Sequence, residues 1–178
     1  VQTWLALPED REDDPAAFAH LPKEALPVLE GEGKDVRLIL GDAWGARVPL
    51  AMPSRLFYAD ARLDPGAAIP LPDDHEDRGV YVLSGAVTVG GQAFEAGRML
   101  VFRPGDRIAV RAGEEGARAM LLGGDTMDGP RHIWWNFVAS SKERIEAAKE
   151  AWRAGDWMHG RFRLPPGDDA EHIPAPER

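Results

Sequence analysis

Between Val36 and Leu122 the chain is cut into short apolar runs by glycine and proline, and this punctuation limits its fold more than any other feature. The runs are Val36 to Leu40, Leu56 to Leu63, Val80 to Leu83, Ala86 to Val89, Gln92 to Phe94, Met99 to Phe102, Ile108 to Arg111 and Ala117 to Leu122. Each is β-branched or alternates apolar with polar residues, and each is too short for an amphipathic helix, so each reads as a strand. Strands recurring every roughly 8–12 residues point to an all-β sandwich or barrel. Gly90-Gly91 supplies positive φ without a Cβ clash, so Val87-Thr88-Val89 and Gln92-Ala93-Phe94 are predicted to form a tight hairpin. Gly97 and Pro104-Gly105 close the next two strands.

One helix is expected, after the strands. Ser140 is read as its cap, with Glu143 reaching back three residues later, and Gly155 as its stop. Ile145, Ala148 and Trp152 share one face, and Lys142 and Glu146 are spaced to pair on the other. That apolar face needs a partner surface, either the β-domain or a neighbouring domain. Residues 8–35, with Pro15, Pro22, Pro27 and several carboxylates around Phe18, Leu21, Leu26 and Val28, read as a linker with docking points. Gln2 to Leu7 before it reads as a strand ended by Pro8, and the start at Val1 rather than Met suggests a piece of something longer. Residues 158–178 read as a polar, proline-rich tail.

Composition removes several classes of function. With no cysteine there is no thiol nucleophile, iron–sulfur cluster, zinc knuckle or disulfide framework. A formal charge of -9 repels polyphosphate, so direct nucleic-acid binding is not expected. No window approaches a transmembrane span and no signal peptide is visible, so no membrane role and a cytoplasmic location are expected. Gly123-Gly124-Asp125 lacks the spacing and following helix of a phosphate-binding loop, and no serine-nucleophile or dinucleotide fingerprint occurs.

Two segments resemble the paired signature motifs of the cupin barrel: Pro65-Gly66 through Val80-Tyr81-Val82-Leu83-Ser84-Gly85, and Gly97-Arg98-Met99-Leu100-Val101-Phe102-Arg103-Pro104-Gly105-Asp106. The stretch from Gly129-Pro130-Arg131-His132-Ile133-Trp134-Trp135-Asn136-Phe137 to Glu146 is similar to the C-terminal signature of bacterial pirin-family proteins. Gln2 to Pro8 and Gly45-Ala46-Arg47-Val48-Pro49 extend the likeness over nearly the whole chain. The resemblance implies a cupin-type β-barrel (double-stranded β-helix or jelly roll) with a C-terminal α-helix. Pirins pair a metal-bearing N-terminal cupin, usually with iron on three His and one Glu, with a metal-free C-terminal one. It therefore implies the last strand of an upstream cupin at 1–7, the second barrel at 36–128, and the signature loop and helix at 129–157. Iron or another divalent metal would belong to that upstream domain, with no cofactor in this chain.

The residues test that implication. A metal-binding cupin needs His-x-His, a Glu shortly after it and seven residues before a Gly, and a fourth His from the second motif. Counting back from Gly85 places Arg78 at the Glu position, with Leu71 or Pro72 and Asp73 or Asp74 at the first two His positions. Ile108 falls at the last His position. A guanidinium there opposes a cation directly. His75 and Glu76 are out of register, and a one-residue slip reverses the face.

The other candidates are read structurally first. Asp73-Asp74-His75-Glu76-Asp77-Arg78 reads as a solvated loop, since charge-rich runs are rarely buried. His75 with Asp73, Asp74 or Asp77 is the one local pairing that could serve acid–base catalysis. His20 and His172 read as solvated, His159 as packed near the helix end, and His132 as locally hydrogen-bonded. Adjacent extended residues face opposite ways, so of Trp134 and Trp135 one is assigned to a core and the other to an interface. Arg131 is expected to pair with a carboxylate there, and Asn136 to tie a loop. Trp4, Ile145 and Trp152 complete the expected interface or structural set.

Three functions follow from different classes. The first is a scaffold that docks on a metal-bearing cupin, whose parent is a quercetin 2,3-dioxygenase-like enzyme or an iron-dependent transcriptional co-regulator. The second is a stand-alone cupin module that binds a small ligand or a protein. The third is an acid–base enzyme around His75. Unpartnered edges and apolar faces also favour a dimer of this chain.

Overall fold

Strand pairing in this chain follows from where its glycines let the backbone turn. The computed structural model describes residues 2–164, 167 and 171–176. Its strands are β1 (Val28–Gly31), β2 (Lys34–Ala43), β3 (Ala46–Arg47), β4 (Leu56–Leu63), β5 (Ala68–Pro70), β6 (Asp77–Val89), β7 (Gln92–Glu95), β8 (Met99–Phe102), β9 (Ala109–Gly124), β10 (His132–Trp134) and β11 (Phe137–Ala139). One helix, α1 (Lys142–Ala154), follows. The chain divides into two compact units, Pro15–Thr126 and Val1–Asp14 with Met127–Arg178.

The first unit is an antiparallel cupin barrel. Its sheet runs β1-β2-β4-β9-β6-β7, with β3 on β2, β5 on β9 and β8 on β6. The sequence divides β6 and β9 into two strands each, but each is continuous, because glycine bends the strand instead of ending it. The β6–β9 register shifts between Val82 and Ser84 and again between Gly85 and Val87, as bulges that curve a sheet do. Gly85 has φ 69°, and a Cβ there would sit 2.2 Å from the Gly116 carbonyl oxygen, so only glycine allows β6 to bend against β9. The hairpin at Gly90-Gly91 forms in the expected register, Val89 opposite Gln92 and Val87 opposite Phe94.

Alternation then fills the barrel. Phe57, Ala59, Ala61 and Leu63 of β4 are buried, with Val80 and Val82 of β6, Ala119 and Leu121 of β9, and Val36 and Leu38 of β2. Burying each larger aliphatic side chain stabilises by roughly 1.5–3 kcal/mol. The segment read as linker contributes to this unit: Lys23–Ala25 makes a 3-10 turn, Val28–Gly31 is β1, and Leu21, Leu26 and Leu29 pack on the core.

In the second unit α1 lays Ile145 and Ala148 against Phe137 and Ala139 of the β10–β11 hairpin, with Trp134, Trp135, Trp152 and Phe162 around them. The helix face that lacked a partner in the sequence is thus covered within its own unit. The cap is Ser141, one residue beyond the expected Ser140: its Oγ accepts from the Arg144 amide at 3.2 Å. Ser140 is instead occupied, its hydroxyl donating to Glu12 Oε2 at 2.9 Å. Gly155 ends the helix at φ 69°, as expected. Lys149 takes Glu146 at 2.6 Å in place of the expected Lys142. Gln2 to Leu7 pairs with no strand among the described residues. No described helix is long and apolar enough to cross a membrane.

Candidate functional site

Strand β6 points Arg78, Val80 and Val82 to the same inner face of the barrel. Arg78 is therefore a guanidinium inside a barrel, only 2% exposed. Its Nη1 donates to the Pro72 carbonyl at 3.4 Å and its Nη2 to the Arg103 carbonyl at 3.2 Å, both long for such bonds. Its Nε is buried with no partner, and among the described residues no carboxylate lies within ion-pair distance of it.

His75 is buried as well, also 2% exposed. Its ring lies 5.0 Å from that of Phe57, its Nε2 lies 3.3 Å from the Asp42 carbonyl oxygen, and its Nδ1 has no partner. Phe57 meets Trp44 edge-on at 5.7 Å, and Trp44 Nε1 donates to the Pro70 carbonyl at 2.8 Å. Gly123 of β9, which faces Arg78 across the ladder, closes the group. A Cβ at Gly123 would lie 2.4 Å from Phe57 Cε1 and 3.1 Å from Arg78 Cγ.

The charge-rich run is thus not the solvated loop its composition suggests. Asp73, Asp74, Glu76 and Asp77 are exposed, but Arg78 turns inward because it lies in β6 in phase with Val80 and Val82, and His75, before the strand begins, is buried against Phe57. Asp74 stands 4.0 Å from His75 Nε2 and is held by Arg55. Partial desolvation pushes the Asp74 carboxyl up, but the hydrogen bond and charge of Arg55 outweigh it and leave it below the ordinary range. A groove of about 340 Å³ lined by Asp42, Ala43, Trp44, Gly45, Ala46, Arg47 and Asp74 lies against this corner. Among the described residues neither Asp73 nor Asp77 makes a hydrogen bond or ion pair with His75.

The positions that ligate metal in a cupin do not fit one here. Of the positions that the spacing from Gly85 and Gly105 assigns to ligands, Leu71 is in the core, Ile108 packs on it, Asp73 and Asp74 are exposed, and Arg78 stands where that spacing puts the carboxylate. Among the described residues no three His, Asp or Glu side chains cluster to hold an ion.

A second cluster gathers the C-terminal signature. Glu12, with an 8% exposed side chain, takes Arg144 at 2.9 Å, Arg131 at 3.5 Å and the Ser140 hydroxyl. Arg131 also bonds Asp128 at 2.5 Å and the Leu7 carbonyl at 2.8 Å. Its carboxylate partners are internal to this unit. The Glu9 amide and Arg131 together hold the Asp128 carboxyl low. Nothing in the sequence around Glu12 distinguishes it from its acidic neighbours, so only the fold reveals it.

Trp134 and Trp135 join one aromatic cluster, their rings 6.2 Å apart and both near Phe137. The alternation argument fails because Trp135 has φ 49° and turns the chain between β10 and β11. Asn136, in that turn, is exposed and makes no side-chain hydrogen bond among the described residues, and neither does half-buried His132. Trp4 is 51% exposed.

Residues 58–158 match the family described as Pirin C-terminal cupin domain. A pirin-like protein of Caulobacter vibrioides is 42% identical over 178 residues, which is 99% of this chain and 59% of that protein. A crystal structure of quercetin 2,3-dioxygenase from Acinetobacter baumannii superimposes with a TM-score of 0.82 at 28% identity, covering 97% of this chain and 56% of that one. A second such structure from the same organism, at 23% identity and TM-score 0.80, covers 87% of this chain and 55% of that one and shares the fold. The chain spans less than two thirds of the length of each.

Proposed function

The chain belongs to the pirin family, and on that premise we propose that it is the metal-free C-terminal cupin half of a pirin-like protein and serves as scaffold to an upstream, metal-bearing cupin. The observation that carries this is Arg78, which turns a positive charge into the barrel where a metal-binding cupin directs a carboxylate. Leu71 and Ile108, apolar at two imidazole positions, support the same reading.

The chemistry of the whole protein then resides upstream, on iron or another divalent metal. The relatives' names make quercetin 2,3-dioxygenase-like activity the first candidate, and iron-dependent transcriptional co-regulation the second. What this half contributes is shape: a filled barrel, and an aromatic cluster braced by Glu12, Arg131 and Arg144.

Elemental analysis of the purified 178-residue chain, with its intact mass recorded on the same sample, tests this directly. No stoichiometric metal and no quercetin turnover are expected, with or without added iron. Stoichiometric metal, or metal-dependent turnover by this chain alone, overturns the reading. A small-ligand role for the same barrel is favoured by one further observation, the unpartnered polar atoms at Arg78 and His75.

A further inference from the structure

We propose that the barrel end formed by Phe57, His75, Arg78 and Gly123 holds one small monovalent anion, a halide or a small carboxylate, against the Arg78 guanidinium. The inference deepens the small-ligand reading of the barrel and does not depend on the scaffold role.

Two observations converge on it. A guanidinium is permanently charged, and burying it without a counter-charge is costly. Arg78 is 98% removed from solvent by its 2% exposure, yet its partners are two neutral carbonyls at 3.2 and 3.4 Å. Carbonyl dipoles soften that charge and do not cancel it. Second, the Nε–H is a donor left over, with no acceptor among the described residues.

The surroundings set the size and charge of the ligand. Phe57 and the Arg78 stem fill the space over Gly123, where even a methyl group would clash, so the ligand does not lie there and must be small enough to sit at Nε. A single cation with one free donor suits one negative charge. Sulfate or phosphate, with two charges and four oxygens, would leave most of its acceptors unpaired in this setting. A water molecule would satisfy Nε but leave the charge uncompensated, and it is the competing occupant.

The test uses the full chain at constant ionic strength, with sodium gluconate replaced stepwise by sodium bromide, sodium formate or sodium sulfate. Bromide or formate is expected to raise Tm saturably by about 3 °C, and sulfate is not. The rise should vanish in Arg78→Met and persist in Arg62→Met, whose guanidinium is on the outer surface. Because Arg78→Met can fail to fold, crystals of the parent chain grown in bromide and in formate supply an independent readout, an anomalous peak for bromide or planar density for formate within hydrogen-bond distance of Arg78 Nε. A response to bromide and its peak identify a halide site, and a response to formate with matching density identifies a carboxylate site. Water at Nε in both crystals, or a Tm response equal in sulfate, overturns the proposal. That failure would leave the metal analysis untouched, so the two readings fail separately.

Discussion

The imidazole of His75 and the ring of Phe57 lie 5.0 Å apart at 53°, both inside the barrel, and this pair shows how a charged run becomes part of a core. Phe57 also bounds the space over Gly123, where a Cβ would stand 2.4 Å from Phe57 Cε1 and 2.6 Å from the Asp77 carbonyl. Gly123→Ala must therefore displace a ring or a strand. We expect it to lose about 1–3 kcal/mol of stability by overpacking, read as a lower urea midpoint at unchanged slope. A neutral result would mean that this barrel end is loosely packed.

Asp60 and Arg118 face each other across β4 and β9, joined by two hydrogen bonds of 2.9 and 2.7 Å. The Arg118 hydrogen bond holds the Asp60 carboxyl below its ordinary 3.8. A carboxylate with a lowered folded pKa stabilises the fold above the unfolded pKa, and that contribution drains away as pH falls through and below it. Arg118 is 44% exposed, so solvent screening limits the pair to roughly 0.2–1 kcal/mol. Asp60→Asn should lower stability at pH 7 by that amount and leave it unchanged at pH 2. Equal loss at both pH values would assign the effect to packing.

The strands were legible because each carries its own alternation. Leu56 to Leu63 and Met99 to Phe102 match β4 and β8 to the residue. What local pattern could not convey is where a glycine bends a strand and where it ends one. Gly85 and Gly90 look alike in sequence, but Gly85 sits against the Gly116 carbonyl inside a continuous β6, and Gly90 turns a hairpin in open space. The same limit hid the site. Counting from Gly85 assigns Arg78 to a ligand position, but its burial depends on the phase of β6, which the charged composition of residues 73–78 masks, and that of His75, before the strand, on its packing against Phe57. Glu12 depends on partners more than a hundred residues away in sequence, beyond the reach of any local signal.

Glu12 joins the N-terminal segment to the signature region of its unit. Its carboxylate takes Arg144 at 2.9 Å and Ser140 at 2.9 Å while being nearly buried, so its removal leaves the Ser140 hydroxyl without its acceptor and takes from Arg144 and Arg131 the one carboxylate they share, Asp13 and Asp128 remaining to them. Glu12→Ala is expected to destabilise this unit by about 3 kcal/mol. Five of the six tryptophans, Trp4, Trp134, Trp135, Trp152 and Trp157, lie in this unit, so tryptophan fluorescence reports its melting selectively. An early fluorescence transition, ahead of the loss of β-sheet circular dichroism, is the expected result. Coincident transitions would show that the two units unfold as one.

Substitutions at Arg78 separate its charge from its bulk. Arg78→Met keeps an unbranched stem of similar length and removes a buried charge, a change that is often neutral or stabilising. Against this, the Pro72 and Arg103 carbonyls lose their donors, each at about 1–3 kcal/mol if no water replaces them. Because both bonds are already long, we expect the lower end of that range, and a net change within about 2 kcal/mol of the parent. Arg78→Glu restores the residue type a metal-binding cupin places there, but Leu71 and Ile108 supply no imidazole and Asp73 and Asp74 stay exposed. The new carboxylate is buried without a cation and aimed at two carbonyl oxygens. A loss of about 3–5 kcal/mol is expected, with no gain in bound iron or nickel by elemental analysis. If Arg78→Glu instead matched Arg78→Met in urea and acquired stoichiometric metal, the other ligand positions would have to lie elsewhere in the barrel than the spacing from Gly85 assigns them.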